Sequence, residues 1–522
     1  MALIGARVPL PDMPLVHRAF EAHARRDPER TALTCGDEHL TFAQLDARAN
    51  QVAHHLITRG TRPGSIVGVC LDRTPDLMVA ILGILKAGAA YVPLDPGYPR
   101  ERLEVMLAQL DGVRLTMGSR RTRELLAQAH GEVLVVEDLA AGLDAHPTDA
   151  PVVDVTPDDL CYVVFTSGST GVPKATAVRH EGWYNLLAWL RDAYGLDQES
   201  SGLSVSSFGF DISQRGLMAP LFTGAAIHLL PSRTFDPALA HRLIARYGVR
   251  TLHCAPSTLY VLIDQERARG SDTLTGLSHV FIGGEPINVA RVEEWATQDG
   301  NTCTLLHQYG VAECTDVATS YALTDYTRYR SGAVPVGTPV YNTEIRILDD
   351  DDRELPLGQA GEICISGTSV SAGYLNPAPA DARRFTTVDR DGQALRIYRT
   401  GDRGFLTPEG QLVVVGRLDA QVKIRGMRID PGDVEHAVRG FPGVTDSVVL
   451  ALPGTSGEAE LVAFLLLDEL RANEIDALSV RRQLIRVLPR NMVPQQVVIV
   501  DSFPLTPNGK TDTKALARWG TP

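Results

Sequence analysis

Thr166-Ser-Gly-Ser-Thr-Gly-Val-Pro-Lys174 follows directly on the apolar run Cys161-Tyr-Val-Val-Phe165. A strand-like segment that opens into a loop rich in glycine and hydroxyls, closed by a lysine, decides how the rest of the chain is read. Gly168 and Gly171 let backbone N–H groups turn toward one point, while Thr166, Ser167, Ser169, Thr170 and Lys174 add donors. Such a set suits anionic oxygens. Read alone, the stretch also fits a solvated Ser/Gly turn. It is not the P-loop spacing G-x-x-x-x-G-K-[ST], because Lys174 stands three residues past Gly171 and is followed by Ala175.

Outward from this loop, helical patterns alternate with short apolar runs. Residues 40–59 carry apolar side chains at helical intervals, 66–70 read as a buried strand, 76–87 as a helix and 90–93 as extended chain. Residues 251–253, 280–282 and 304–307 read as further strands with helices between them. This alternation predicts an α/β fold with largely parallel sheets. Beyond the strand-like 412–415, residues 447–452, 460–467, 480–488 and 495–500 suffice for a small α+β lobe.

With 522 residues the chain can bury a large core and divide into more than one domain. A net charge of −13 disfavours nucleic acid or an anionic membrane as partner. The seven cysteines show no C-x-x-C spacing, which points to a reduced cytoplasmic setting and not to a disulfide framework or a zinc site. The N-terminal residues lack a signal-peptide apolar region. The longest apolar run, 77–94, is broken by Lys86 and Gly88 and reads as a buried helix feeding a strand, not a membrane span.

Further blocks occur in order along the chain. They are Leu85-Lys-Ala-Gly-Ala-Ala-Tyr-Val-Pro-Leu-Asp-Pro96, the Thr166–Lys174 loop, Phe210-Asp-Ile-Ser213, Gln308-Tyr-Gly-Val-Ala-Glu313, Gly361-Glu-Ile-Cys-Ile-Ser-Gly367 and Tyr398-Arg-Thr-Gly-Asp402. Gly416-Arg-Leu-Asp-Ala-Gln-Val-Lys-Ile-Arg-Gly426 and Asn508-Gly-Lys510 complete the series. With them the chain resembles, over nearly its whole length, the adenylate-forming enzymes, and among these the amino-acid adenylation domains of non-ribosomal peptide synthesis. The resemblance implies a large N-terminal domain of stacked mixed and parallel sheets, 1–418, and a small mobile α+β domain, 419–522, hinged at Asp419. It also implies ATP-dependent activation of a carboxylic acid, with release of pyrophosphate. No carrier segment or condensation motif is recognised, so a stand-alone ligase loading a separate carrier protein is expected. The resemblance also allows for a small MbtH-like accessory protein.

Carried over residue by residue, the resemblance gives Thr166, Ser167, Gly168, Ser169, Thr170, Gly171 and Lys174 to the ATP phosphates. Glu313 is assigned to Mg²⁺, which is satisfied by one or two carboxylates with phosphate oxygens and water. Tyr309 is assigned to adenine, Asp402 to the ribose hydroxyls and Arg417 to a second nucleotide contact. Lys510 is expected at the α-phosphate and substrate carboxylate, and Lys423 at the domain interface once the small domain has swung. Two positions depart from the family pattern. Ala175 replaces a glycine, and Ala312 removes a hydroxyl worth roughly 0.5–1.5 kcal/mol as an ordinary hydrogen bond.

Asp211 matches the aspartate that pairs with an α-ammonium group, which favours an α-amino acid. The remaining specificity positions are Ile212, Arg215, His253, Phe281, Gly283, Gln308, Asp316 and Val317, an unusually polar lining. A buried Arg215 must meet an anion, either a substrate carboxylate or a protein group such as Asp316. The first case predicts a polar or acidic substrate side chain, and the second removes that prediction. An acyl- or aryl-CoA ligase and a non-catalytic nucleotide- or amino-acid-binding homologue are the alternative readings.

Overall fold

Helix Pro75–Lys86 shows how the core is assembled. Every residue but Asp76 is buried, as expected of a helix that is apolar all round and enclosed by other elements. Its one buried cation, Lys86, is paired with Glu21 at 2.5 Å and Asp46 at 2.8 Å. The next strand, Ala90–Pro93, lies parallel to Ile66–Cys70, which in turn lies parallel to Leu115–Gly118. The apolar run 77–94 is thus a core helix feeding a strand. No helix among the described residues is long and apolar enough to cross a membrane.

The computed structural model describes residues 2–110, 112–126, 131–167, 173–330, 332–390, 393–419, 421–454, 458–468, 475–504 and 511–520. Two large mixed sheets dominate the N-terminal part. One runs from Gly373–Tyr374 through Lys174–Arg179, Leu160–Thr166, Ala90–Pro93, Ile66–Cys70 and Leu115–Gly118 to Glu132–Val135. The other contains the parallel strands Thr31–Cys35, Ile227–Leu229, Gly202–Ser204, Thr251–Cys254, His279–Gly283 and Thr304–Tyr309. Between the two sheets lie helices Phe42–Thr58, Pro75–Lys86, His180–Tyr194 and Asp211–Thr223, which share one apolar core with both. A third, antiparallel sheet joins Thr343–Leu348, Gly361–Gly367, Gln393–Leu406 and Leu412–Arg417.

The C-terminal part has its own core. Val444–Pro453, Ala459–Leu467 and Gln496–Ile499 form a small mixed sheet packed with helices Pro431–Arg439 and Ala477–Val487 around Val434, Val438, Leu461, Leu465, Val480 and Leu484. The hairpin Val422–Ile424/Met427–Ile429 lies between this unit and the large one. The molecule is therefore an α/β protein with a large N-terminal and a small α+β C-terminal body. Asp419 falls between the last strand of the antiparallel sheet and the hairpin.

The predicted strands all appear: 66–70 and 90–93 keep their bounds, whereas 251–253, 280–282 and 304–307 are extended by one or two residues where backbone pairing outruns apolar pattern. Residues 40–59 divide differently: Glu38–Thr41 is a strand and the helix is Phe42–Thr58. Thr41 caps that helix reciprocally with Gln44, so the chain turns there although Leu40 continues the apolar spacing. All seven cysteines are free thiols.

Candidate active site

The C-terminal ends of parallel strands Thr251–Cys254, His279–Gly283 and Thr304–Tyr309 bring together residues that are far apart in sequence, the usual placement of ligand sites in open α/β sheets. His253 stands beside Phe281 in register, and their rings stack at 4.5 Å and 7°. Gly283 is in register with Gln308. Helix Asp211–Thr223 adds Asp211 in its first turn and, one turn later, the buried Arg215. Ile212 is half-buried beside Asp211, whereas Val317 is 2% exposed and belongs to the apolar core.

Arg215 meets a protein anion. Its Nε lies 2.7 Å from Asp316 Oδ2, and its Nη1 donates to Gln308 Oε1. Both charged side chains are nearly excluded from solvent, at 2% and 9% exposure. The expectation of a polar or acidic substrate side chain, as drawn from Arg215, therefore loses its basis, because the guanidinium is already compensated. Burial pushes the Asp316 carboxyl up to about 7, a pull that Arg215 opposes without cancelling. His253 is held neutral by burial, with Arg215 and His279 adding to the effect. Both of its ring nitrogens and Gln308 Nε2 are buried without hydrogen-bond partners among the described residues.

Asp211 is different. Its Oδ1 accepts the Ile212 N–H at 2.8 Å, and among the described residues it has no ion-pair partner. Burial raises its carboxyl, against the backbone hydrogen bond and the more distant Arg215.

After Tyr309 the chain folds sharply back. A Cβ on Gly310 would lie 1.9 Å from the Asp316 carbonyl oxygen, so this position admits only glycine. Thr315 and Asp316 both take left-handed backbone conformations, with φ of 55° and 71°. The short helical turn Ala312–Cys314 points Glu313 inward, where it is fully buried and accepts the Tyr374 hydroxyl at 2.7 Å. Burial alone would raise the Glu313 carboxyl, but Arg428 and the Tyr374 hydroxyl outweigh it and hold it down.

Tyr309 donates its hydroxyl to Asp402 Oδ2 at 2.7 Å. Asp402 faces Arg417 across paired strands, and Arg417 Nη1 donates to its other oxygen. Arg417 also holds Asp419 through Nε at 2.6 Å and Nη2 at 2.8 Å, with Arg384 on the same carboxylate at 3.1 Å.

At the strand end that opens the decisive loop, Thr166 is in register with Lys174. Thr166 Oγ1 is buried without a hydrogen-bond partner among the described residues, and Ser167 Oγ donates to the Arg428 carbonyl at 2.8 Å. Lys174 Nζ donates to Asp381 Oδ1 at 2.5 Å. Ala175 points into an apolar cluster, so its methyl does not enter the site. Gly168, Ser169, Thr170, Gly171 and Lys510 lie outside the described residues.

Of the cations that the hairpin supplies, sequence reasoning named Lys423 and missed Arg428. Arg428 Nη1 stands 3.3 Å and 3.4 Å from the two Glu313 oxygens. Lys423 Nζ lies 5.3 Å from the centre of the Tyr309 ring, and its ammonium is disfavoured by burial. The hairpin turn fits closely: a Cβ on Gly426 would lie 2.7 Å from Ala255 Cβ, and its N–H donates to Glu285 at 2.5 Å. Cations of the chain thus sit on the carboxylates and ring assigned to a nucleotide and its metal. A single buried carboxylate beside hydroxyls and a lysine suits Mg²⁺ bound with phosphate oxygens, once Arg428 has withdrawn from Glu313. No signal in the sequence distinguished Arg428, Tyr374 or Asp381 from ordinary surface or turn residues.

The chain belongs to the AMP-binding enzyme family. That family's model matches residues 20–375, and the model of the AMP-binding enzyme C-terminal domain matches residues 433–510. The chain is 36% identical to a linear gramicidin synthase polypeptide of Brevibacillus parabrevis, over 97% of this chain and 6% of that protein. It is 37% identical to a plipastatin synthase polypeptide of Bacillus subtilis (strain 168), over 97% of this chain and 19% of that protein. The chain therefore spans only a small part of the length of these curated relatives. Among solved structures it is similar to PA1221, an NRPS protein containing adenylation and PCP domains, with a TM-score of 0.84 and 27% identity over 97% of this chain and 84% of that one.

Proposed function

We propose that this chain activates an α-amino acid with ATP, forming aminoacyl-AMP and pyrophosphate, and then passes the acyl group to the phosphopantetheine thiol of a carrier protein. The observation that carries this reading is Asp211, a half-buried carboxylate without an ion-pair partner among the described residues, at the start of the helix that packs against strand Thr251–Cys254. A substrate ammonium would complete it. Kinship with segments of peptide synthases supports the same reading.

In this assignment the amino-acid carboxylate attacks the α-phosphorus, and catalysis consists mainly of positioning and charge compensation. Thr166, Ser167, Lys174 and the loop residues Gly168 to Gly171 hold the polyphosphate, Tyr309 packs on adenine and Asp402 binds the ribose. Glu313 would hold Mg²⁺, which neutralises charge on the phosphates. Lys510 is assigned to the α-phosphate and substrate carboxylate. Residues 1–418 form the core and 419–522 the lid, turning at Asp419. The hairpin seated on Glu313 and Tyr309 fits the state in which Lys510 is withdrawn and the thiol reacts.

The unpartnered nitrogens of His253 and Gln308, beside a self-neutralised Arg215–Asp316 pair, favour a polar but uncharged substrate side chain. Amino-acid-dependent ATP–pyrophosphate exchange across a broad panel tests the reading. Exchange with one neutral polar α-amino acid, lost in Asp211→Asn and Lys510→Ala, is the expected result. Exchange only with acids lacking an amino group would overturn the role of Asp211 and favour a CoA-ligase activity. Binding of ATP without exchange would favour a non-catalytic homologue.

A further inference from the structure

Lys174 does not stand free at the loop that it closes. Its ammonium lies 2.5 Å from Asp381 Oδ1, with the two side chains 14% and 5% exposed. The carboxylate is fixed, because Oδ2 accepts the Ala378 N–H at 3.0 Å and its own backbone N–H bonds back to Ala378. The lysine, by contrast, has a long flexible stem, and its ammonium lies 5.5 Å from the centre of the Tyr374 ring, whose hydroxyl donates to Glu313. The Tyr374 side chain therefore stands between the pair and the carboxylate assigned to the metal, with the ammonium near its ring and Glu313 on its hydroxyl.

We propose that Asp381 is an internal competitor of the polyphosphate for Lys174, and so sets how tightly pyrophosphate is held. The inference rests on the nucleotide reading given above. When the β- and γ-phosphates arrive, Lys174 must leave Asp381, and a carboxylate 5% exposed is left without its cation. That cost is subtracted from polyphosphate affinity. When pyrophosphate departs, Asp381 takes the ammonium back, which favours release of the product. AMP, which lacks the β- and γ-phosphates, does not call on Lys174 and is indifferent to the pair. Asp381 is thus a positioning residue that acts through Lys174.

Calorimetric binding of inorganic pyrophosphate and of AMP to the full chain tests this, with each variant's melting checked first. Asp381→Asn keeps an acceptor for the Ala378 N–H and removes the charge. Asp381→Ser is the second variant, used where the first does not fold. Pyrophosphate is expected to bind severalfold to about tenfold tighter in the variant, with AMP affinity unchanged. In a Lys174→Ala background the same substitution is expected to give no tightening. Equal or weaker pyrophosphate binding in a folded variant, or tightening that persists without Lys174, overturns the proposal. AMP binding to the wild-type chain tests the nucleotide reading separately: its absence overturns that reading and this inference with it.

Discussion

Arg215 and Asp316 form a buried ion pair, Nε to Oδ2 at 2.7 Å, and Arg215 also donates to Gln308 on strand Thr304–Tyr309. The aspartate reaches it from a left-handed turn that Gly310 alone permits. This charge is therefore settled within the chain, and the ring nitrogens of His253 and Nε2 of Gln308 are the buried polar groups beside it that find no hydrogen-bond partner among the described residues.

Breaking the pair leaves one uncompensated buried charge. Arg215→Met is expected to cost about 3–5 kcal/mol of stability, read from denaturant midpoints. Arg215→Met combined with Asp316→Asn, which removes the remaining charge and keeps a residue suited to the left-handed backbone, is expected to recover much of that stability while losing amino-acid-dependent exchange.

Gly310→Ala places a Cβ 1.9 Å from the Asp316 carbonyl oxygen, and backbone cannot yield as a flexible side chain would. The expected result is a markedly lower melting temperature together with loss of exchange, since the turn carrying Glu313 must shift.

Arg428 holds Glu313 at 3.3 Å in this arrangement. Arg428→Ala is expected to tighten Mg–ATP binding severalfold and to slow transfer to the thiol, because the hairpin loses its anchor on the site. Pyrophosphate exchange and carrier loading, measured separately, resolve the two effects. Equal losses in both would speak against this account.

Stability should fall as acid is added. Burial holds His180, His228 and His307 down to about 4, below the usual value near 6.5. Their neutral forms are compatible with the fold, so this contribution is fully present above about pH 6.5 and is lost as pH falls toward 4, up to about 3 kcal/mol for each. Asp316, raised to about 7, works in the opposite sense: its contribution is present below about pH 4 and is lost as pH rises through 7. The three histidines outweigh it below pH 6.5. His180→Phe should flatten the slope of melting temperature against pH between 6.5 and 4.5.

Apolar period and turn chemistry are local properties, and they were legible without coordinates. The strands 66–70 and 90–93 were read with the bounds the structure gives them, and the strand before the decisive loop differs by one residue at each end. The capping box at Thr41 is also present in the sequence, but Leu40 continues the apolar spacing and masks it, so spacing alone starts the helix two residues before Phe42. Asp211, Glu313 and Asp402 could be picked out because their neighbours along the chain form recognisable blocks.

Pairing across the fold was not legible, because nothing local reports it. Arg215 could have met a substrate or Asp316, and only the fold-back over Gly310 decides between them. Asp381 stands in an ordinary proline-containing turn, and Arg428 in a charged hairpin, yet each pairs with a residue more than a hundred positions away. Local pattern and residue order alone sufficed for the α/β class, the family and the kinds of side chain carried by each block. Which cation faces which carboxylate was decided by tertiary structure alone, because a charge pair a few ångströms wide depends on the packing of elements that do not adjoin in the chain.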